Sequence, residues 1–181
     1  AARSPLQVGS WAYQLQNYDQ RTLESLGVDL LVVDADELDE SGISPAALKK
    51  VNKHVVSYLS IGEAEDYRSY WDDSWAVKGP EWLGPENQRW QGNFKVKYWH
   101  GQWQRHMHRA VRRLAKAGYD GAYFDLLDAW EYWDREGVAD AKIRMIEFVL
   151  SLARTARRVN PDFLIIAQNA PELSSNTEYL T

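Results

Sequence analysis

Apolar residues along this chain fall in short continuous runs separated by helix-spaced segments, the pattern of strands covered on both faces of a parallel sheet. Residues 28–36 form the clearest run, ending in Asp34 and Asp36, and residues 54–62 predict a third strand that leads into the acidic and aromatic segment 63–67. Residues 9–16 predict a first strand, followed by Leu23 and Leu26 at helix spacing within residues 20–26. Ser44-Pro45 sets a capping hydroxyl before a proline at the first helical position, predicting a helix that continues to Lys53. Residues 94–99 alternate as a fourth strand. Residues 103–117 read as a basic amphipathic helix with Met107, Ala110, Val111 and Leu114 inward, stopped by Gly118.

The turn at Gly118 leads into a fifth strand that ends at Asp125, where three carboxylates and three large aromatics crowd together: Asp125, Asp128, Trp130, Glu131, Tyr132 and Trp133. A helix over residues 139–158 follows, with Ile143, Ile146, Val149, Leu150 and Ala153 on one face, and Asn160-Pro161 ends it. Residues 163–167 make a sixth strand, with Gln168 and Asn169 at its end; residues 174–181 hold no further strand. Between Trp71 and Asn93 the chain turns rich in Gly, Pro and Trp and predicts a long functional loop.

Six strand-then-helix units define an α/β fold, either an open doubly wound sheet or a (β/α)8 barrel. A doubly wound sheet gathers its ligand at one switch point, often on a Gly-rich phosphate loop, and neither GxGxxG nor GxxxxGK[ST] occurs here. Polar and aromatic residues instead end all six strands, as in a barrel. A closed barrel takes eight strands, so the expectation is one barrel domain over residues 1–181, incomplete at its C-terminal side. Two further strands beyond Thr181, or self-association with another copy, would complete it.

Composition narrows the chemistry. Hydrophobic residues at 45% and charged residues at 26% are ordinary for a globular domain, and no apolar run reaches the roughly 18 residues of a membrane span. There is no cysteine, which excludes disulfides and thiolate metal sites, and a net charge of −5 argues against nucleic acid as a partner. The excess is aromatic: nine Trp and ten Tyr, many near strand ends, favour a ligand groove.

Paired carboxylates among aromatics suit cleavage of glycosidic bonds, where one acid protonates the leaving oxygen and the other attacks or activates water, with no cofactor. Asp125 is the leading candidate, because the strand before it holds it rigidly. Asp128, Glu63 and Glu65 are candidates to line the groove; Tyr13, Trp82, Trp99 and Trp130 are candidate stacking walls; Gln168 and Asn169 could hydrogen-bond hydroxyls. His106 and His108 stand two apart on one helix and cannot share a metal, so no metal is expected. No GxSxG elbow supports a serine nucleophile.

The segments Tyr58 to Arg68, Gly118 to Asp125 with Asp128-Ala129-Trp130-Glu131, and Gln168-Asn169 resemble glycoside hydrolase family 114, the endo-α-1,4-polygalactosaminidases, over residues 11–173. The resemblance implies a secreted or periplasmic barrel hydrolase acting on α-1,4-linked galactosamine polysaccharide. It maps Asp125 onto one catalytic carboxylate and puts the partner Glu in a later strand, past Thr181. Where the family pattern reads Gln-Asn-Gly-Glu-Glu-Leu, this chain has Gln168-Asn169-Ala170-Pro171-Glu172-Leu173. The alternatives are a carbohydrate-binding protein on the same scaffold without catalysis, and an unrelated barrel enzyme such as a sugar-phosphate isomerase, which the lack of a phosphate loop disfavours.

Overall fold

A computed structural model describes residues 6–175. Its centre is a five-stranded sheet, every neighbouring pair parallel: β1 Trp11–Tyr13, β2 Leu30–Asp34, β3 His54–Ser60, β7 Gly121–Asp125 and β8 Leu164–Ala167, in that spatial order. Three short strands fall between β3 and β7 in the chain: β4 Glu63–Glu65, β5 Leu83–Glu86 and β6 Asn93–Val96. The spatial order of the parallel strands follows the chain without reversal. A sheet with no reversal has no switch point, so it curls in the barrel manner rather than the doubly wound one.

Helices make the crossovers. α1 Gln20–Ser25 links β1 to β2, α2 Ala35–Ser41 and α3 Pro45–Leu48 link β2 to β3, α4 Gly101–Ala117 precedes β7, and α5 Ala129–Arg135 with α6 Ala141–Arg157 link β7 to β8. All five residues of β2 are buried, as its unbroken apolar run requires. Leu31, Val33, Val55, Ala122 and Phe124 face the helices and join the main core, while Leu30, Val32, Val56 and Tyr58 form a second cluster on the other face with Tyr123 and Ile166. Strand alternation therefore sends Tyr58 and Tyr123 to one side of the sheet and Phe124 to the other.

Several expectations change. Residues 94–99 do not form a parallel barrel strand: β6 pairs antiparallel with β4 and β5 in a separate three-stranded sheet, which leaves five parallel strands where six were expected. Alternation marks a strand and says nothing about which sheet receives it. The segment expected as one long loop contains β5 and a 3-10 turn at Asp73–Ala76. Ser44 caps α3 through a bond from the Ala47 N–H, yet the helix stops at Leu48 rather than Lys53. On α6 Ile146, Val149 and Ala153 are buried as expected and Met145, Phe148 and Leu152 join them, while Leu150 is only partly buried and Ile143 is 55% exposed. The α4 expectation is met at Met107, Val111 and Leu114, with Trp103 added and Ala110 only partly buried; Gly118 closes the helix at φ 91°. Of residues 174–181, those beyond 175 lie outside the described residues.

The ends of β3 and β7 are pressed together just past the sheet. Ile61 N–H donates to the Asp125 carbonyl at 3.2 Å. A Cβ on Gly62 would stand 2.0 Å from the Leu126 carbonyl oxygen, so backbone would have to move to admit any side chain. Gly62→Ala is expected to lower stability by about 1–3 kcal/mol or more, by forced overpacking against backbone. Urea unfolding of the two proteins checks this; equal midpoints would show that the approach is not constrained.

Candidate active site

Four side chains at the C-terminal ends of parallel strands, or just past them, converge on one side of the sheet. Asp34 ends β2, Asp125 ends β7, Tyr58 lies on β3 two residues before its end, and Asn169 follows β8. Asp125 is half-buried and accepts three hydrogen bonds. Tyr58 OH donates to Oδ2 at 2.8 Å, while Leu126 N–H at 2.7 Å and Asn169 Nδ2 at 3.2 Å donate to Oδ1. Burial, followed by the charges of Glu65 and Asp125, pushes the Tyr58 phenol far above its ordinary range. The phenol therefore keeps its proton and serves Asp125 as a donor.

The backbone bends to make this grip. Leu126 sits at φ 61°, a left-handed conformation rare for a branched residue, and in it the Leu126 N–H turns back onto the Asp125 carboxylate. Asn169 completes it. Its Oδ1 accepts from Leu127 N–H at 3.0 Å and Asp128 N–H at 3.4 Å, so its Nδ2 must face the acids, donating at 3.2 Å to both Asp125 and Asp128. One amide thus orients two carboxylates and the turn between them. Ala170 after it is also left-handed, at φ 58°.

Asp128 is exposed at the start of α5. Partial burial, then the charges of Asp125 and Glu131, raise its pKa from the ordinary aspartate value. Tyr13, 42% exposed, stands edge-on to Tyr123 at 5.8 Å, and burial together with the charge of Asp125 pushes its phenol up to about 12. Trp130 donates from Nε1 to Glu172 at 3.1 Å, with the Lys142 ammonium 5.5 Å from its ring centre. Gln168 is exposed, and its backbone N–H bonds Phe124 at 2.9 Å.

A second cluster of acids lies beside the first and is tied up internally. The Arg68 side chain, 9% exposed, reaches Glu65 Oε2 at 2.6 Å, Asp34 Oδ2 at 2.7 Å and Asp36 Oδ2 at 3.3 Å, and stands 5.1 Å from the Tyr67 ring centre. Burial lowers the Arg68 pKa, but the charges of Glu65 and Asp34 outweigh it and the net shift is upward. Glu65 also accepts from Tyr67 OH at 2.7 Å, and burial holds its pKa above the ordinary value in spite of Arg68. Arg113 of α4 binds the other oxygen of Asp36.

The sequence candidates therefore divide. Asp125, Asp128 and Asn169 come together in one hydrogen-bonded group, with Tyr13 beside it through Tyr123. Glu63 does not join it: the residue is wholly buried, paired with Lys95 and bonded by Asn87 Nδ2 at 2.9 Å. Trp82 is a correction, since it is 1% exposed and packs among Trp75, Trp103 and His106, leaving no face for a ligand. Trp99 packs edge-on to Trp133 at 5.1 Å under the Arg144 guanidinium. Tyr58 and Arg68 were passed over. Alternation places Tyr58 on the Asp125 side, and Arg68 closes the acidic segment 63–66, so both signals were in the sequence. Among the described residues no group of three or more His, Cys, Asp or Glu is arranged to hold a metal ion.

A sequentially ordered parallel sheet with carboxylates at its strand ends makes this a (β/α)-barrel-type protein. The chain belongs to glycoside-hydrolase family GH114, whose profile matches residues 1–181. It is 42% identical over 172 residues to an uncharacterized protein of Thermotoga maritima, covering 91% of this chain and 53% of that one. An uncharacterized protein of Methanocaldococcus jannaschii is 39% identical over 172 residues, covering 90% and 49%. The chain thus spans about half the length of these curated relatives. In fold it is similar to the glycoside hydrolase domain of PelA from Pseudomonas aeruginosa, with a TM-score of 0.67 at 20% identity over 90% of this chain and 60% of that one. Aspergillus fumigatus Ega3, solved in complex with galactosamine, is similar at a TM-score of 0.67 and 20% identity, covering 97% and 65%.

Removing Arg68 would strand two buried carboxylates. Arg68→Met is expected to cost about 3–5 kcal/mol at neutral pH, the usual penalty for breaking a buried pair. Without the guanidinium, burial would hold the Glu65 folded-state pKa still further above its unfolded one, so the variant should regain stability as the pH falls toward the unfolded value. Denaturant midpoints of both proteins at neutral and mildly acidic pH test this; a pH-independent deficit would contradict it.

Proposed function

We propose that this chain carries the acidic strand ends of a glycoside hydrolase that cleaves α-1,4-linked galactosamine-containing polysaccharide, with Asp125 as a catalytic carboxylate. The observation that carries the reading is the grip on Asp125: three donors from β3, the β7 turn and the segment after β8 hold one partly exposed carboxylate at a strand end. Such a carboxylate is pre-positioned to act as acid, base or nucleophile at a glycosidic bond, one of the two acids that this chemistry uses. Membership of GH114 supports the reaction class, and the galactosamine in the Ega3 complex supports the sugar.

Asp128 is the group that meets the substrate's amine. A free galactosamine amine is cationic, and a carboxylate beside Asp125 and Glu131 lies in a region of negative potential that attracts it. Tyr13, 42% exposed, and the partly exposed Trp130 offer aromatic surface for sugar rings. Because such a polymer is extracellular, the protein acts outside the cytoplasm, secreted or periplasmic.

Asp125→Asn keeps the shape and removes the charge. It is expected to leave the circular dichroism spectrum intact, retain binding of a partly deacetylated α-1,4-galactosamine polymer, and lower reducing-end release by about 10³-fold or more. Turnover that survives would sink the assignment, and binding without turnover by the unaltered protein would favour a binding role.

The raised pKa of Asp128 predicts a pH limb with a definite sign. Affinity for the cationic polymer should be full above that pKa and fall as acidification protonates Asp128, starting at a higher pH than an ordinary aspartate would give. Asp128→Asn should flatten the limb, as read by binding titrations across the acidic range.

A further inference from the structure

A hollow of about 390 Å³ opens beside the ends of β2 and β3, between the start of α2 and the middle of α4, with Arg68, Ser69 and Tyr70 along one edge. Leu59, Ala110 and Leu114 give it an apolar floor. The rings of Tyr70 and His106, 5.7 Å apart, make one wall. Ligand sites typically occupy about 300–1,000 Å³, so the space suits a molecule of monosaccharide size.

The charges in the hollow are unequal in their commitments. Asp34 and Asp36 are held by Arg68, and Asp36 also by Arg113. Arg109 has no carboxylate partner among the described residues; its Nη2 bonds His106 Nδ1 at 3.0 Å. A guanidinium only donates, so Nδ1 accepts and His106 is the neutral Nε2–H tautomer. Burial, then the charges of Arg109 and Arg105, hold the His106 pKa below its ordinary value, in keeping with a neutral ring. Arg109 therefore brings an uncompensated positive charge to the hollow, with most of its N–H groups unused. A second hollow shares Arg109 and Arg113 and is rimmed by Arg112 and Lys116, so the approach is cationic although the chain as a whole carries −5.

We propose that this hollow binds a small ring-bearing oxyanion, a sugar carboxylate or sugar phosphate, with its anionic group on Arg109 and its apolar ring face on Leu59, Ala110 and Leu114. An oxyanion accepts from the planar guanidinium in the bidentate geometry that a lysine could not offer. A neutral sugar would leave the Arg109 charge unanswered. Asp125 does not line the hollow, although Asp34 and Tyr58 do and Tyr58 donates to Asp125; the proposal rests on Arg109 and the apolar floor and makes no use of the hydrolase reading.

Calorimetric titration at constant ionic strength with galacturonate and with galactose 6-phosphate tests it, with galactose and inorganic phosphate as comparison ligands. Saturable binding of one or both sugar anions, at least about tenfold tighter than either comparison ligand, is expected. A response to galacturonate alone identifies a carboxylate ligand, and one to galactose 6-phosphate alone a phosphorylated sugar. Arg109→Gln, at an exposed position, should weaken that binding about tenfold or more, while Arg105→Gln, on the same helix outside the hollow, should leave it unchanged. The proposal is overturned if neither sugar anion saturates, if galactose or phosphate binds as tightly, if Arg109→Gln binds like the unaltered protein, or if Arg105→Gln loses as much.

Discussion

Burying carboxylates at the ends of parallel strands is expensive unless a cation answers them, and in this protein the answer is Arg68. Its guanidinium joins the end of β2 at Asp34, the start of α2 at Asp36 and the strand β4 at Glu65 in one desolvated group. Two separate pieces of chain, residues 34–36 and residues 65–68, are thereby held together beside the strand ends. Without that neutralisation the negative charges around Tyr58 would destabilise the face as a whole.

The catalytic candidate depends on a second, smaller device. Gly62 lets the end of β3 touch the backbone at Leu126, Leu126 turns left-handed, and its N–H is thereby aimed at Asp125. Asn169 reaches across from the end of β8 and ties Asp125 to Asp128. Strain, close approach and a shared amide all serve the same carboxylate pair, a convergence typical of functional sites rather than of packing alone.

How much of this was legible in the sequence differs by element. The parallel strands β2, β3 and β7 could be read because β2 is a continuous apolar run and β3 and β7 are short, largely apolar segments bounded by polar residues and glycine, and Asp125 and Asn169 could be read from their places at strand ends. The sheet of β6 could not, since Phe94 and Val96 alternate equally well in either sheet and only the partner β4 decides. Trp82 shows the limit of composition: an indole in a Gly- and Pro-rich segment looks exposed, yet it packs against Trp75 and Trp103. On α6 Ile146, Val149 and Ala153 were legible as inward, whereas Ile143 is exposed because the buried stripe is centred on Met145, Phe148 and Leu152. Glu63 and Glu65 read as equivalent acids, and Lys95, some thirty residues away, separates them by burying the first.

The central claim is that a glycosidic bond of an α-1,4-galactosamine polymer is presented to Asp125. The most direct measurement is a crystal structure of the Asp125→Asn protein with a galactosamine oligosaccharide. The account predicts a glycosidic oxygen or anomeric carbon within contact of residue 125, the neighbouring amine facing Asp128, and sugar rings beside Tyr13 or Trp130. An oligosaccharide bound elsewhere on the molecule, with the residue 125 side chain touching no sugar, would contradict it.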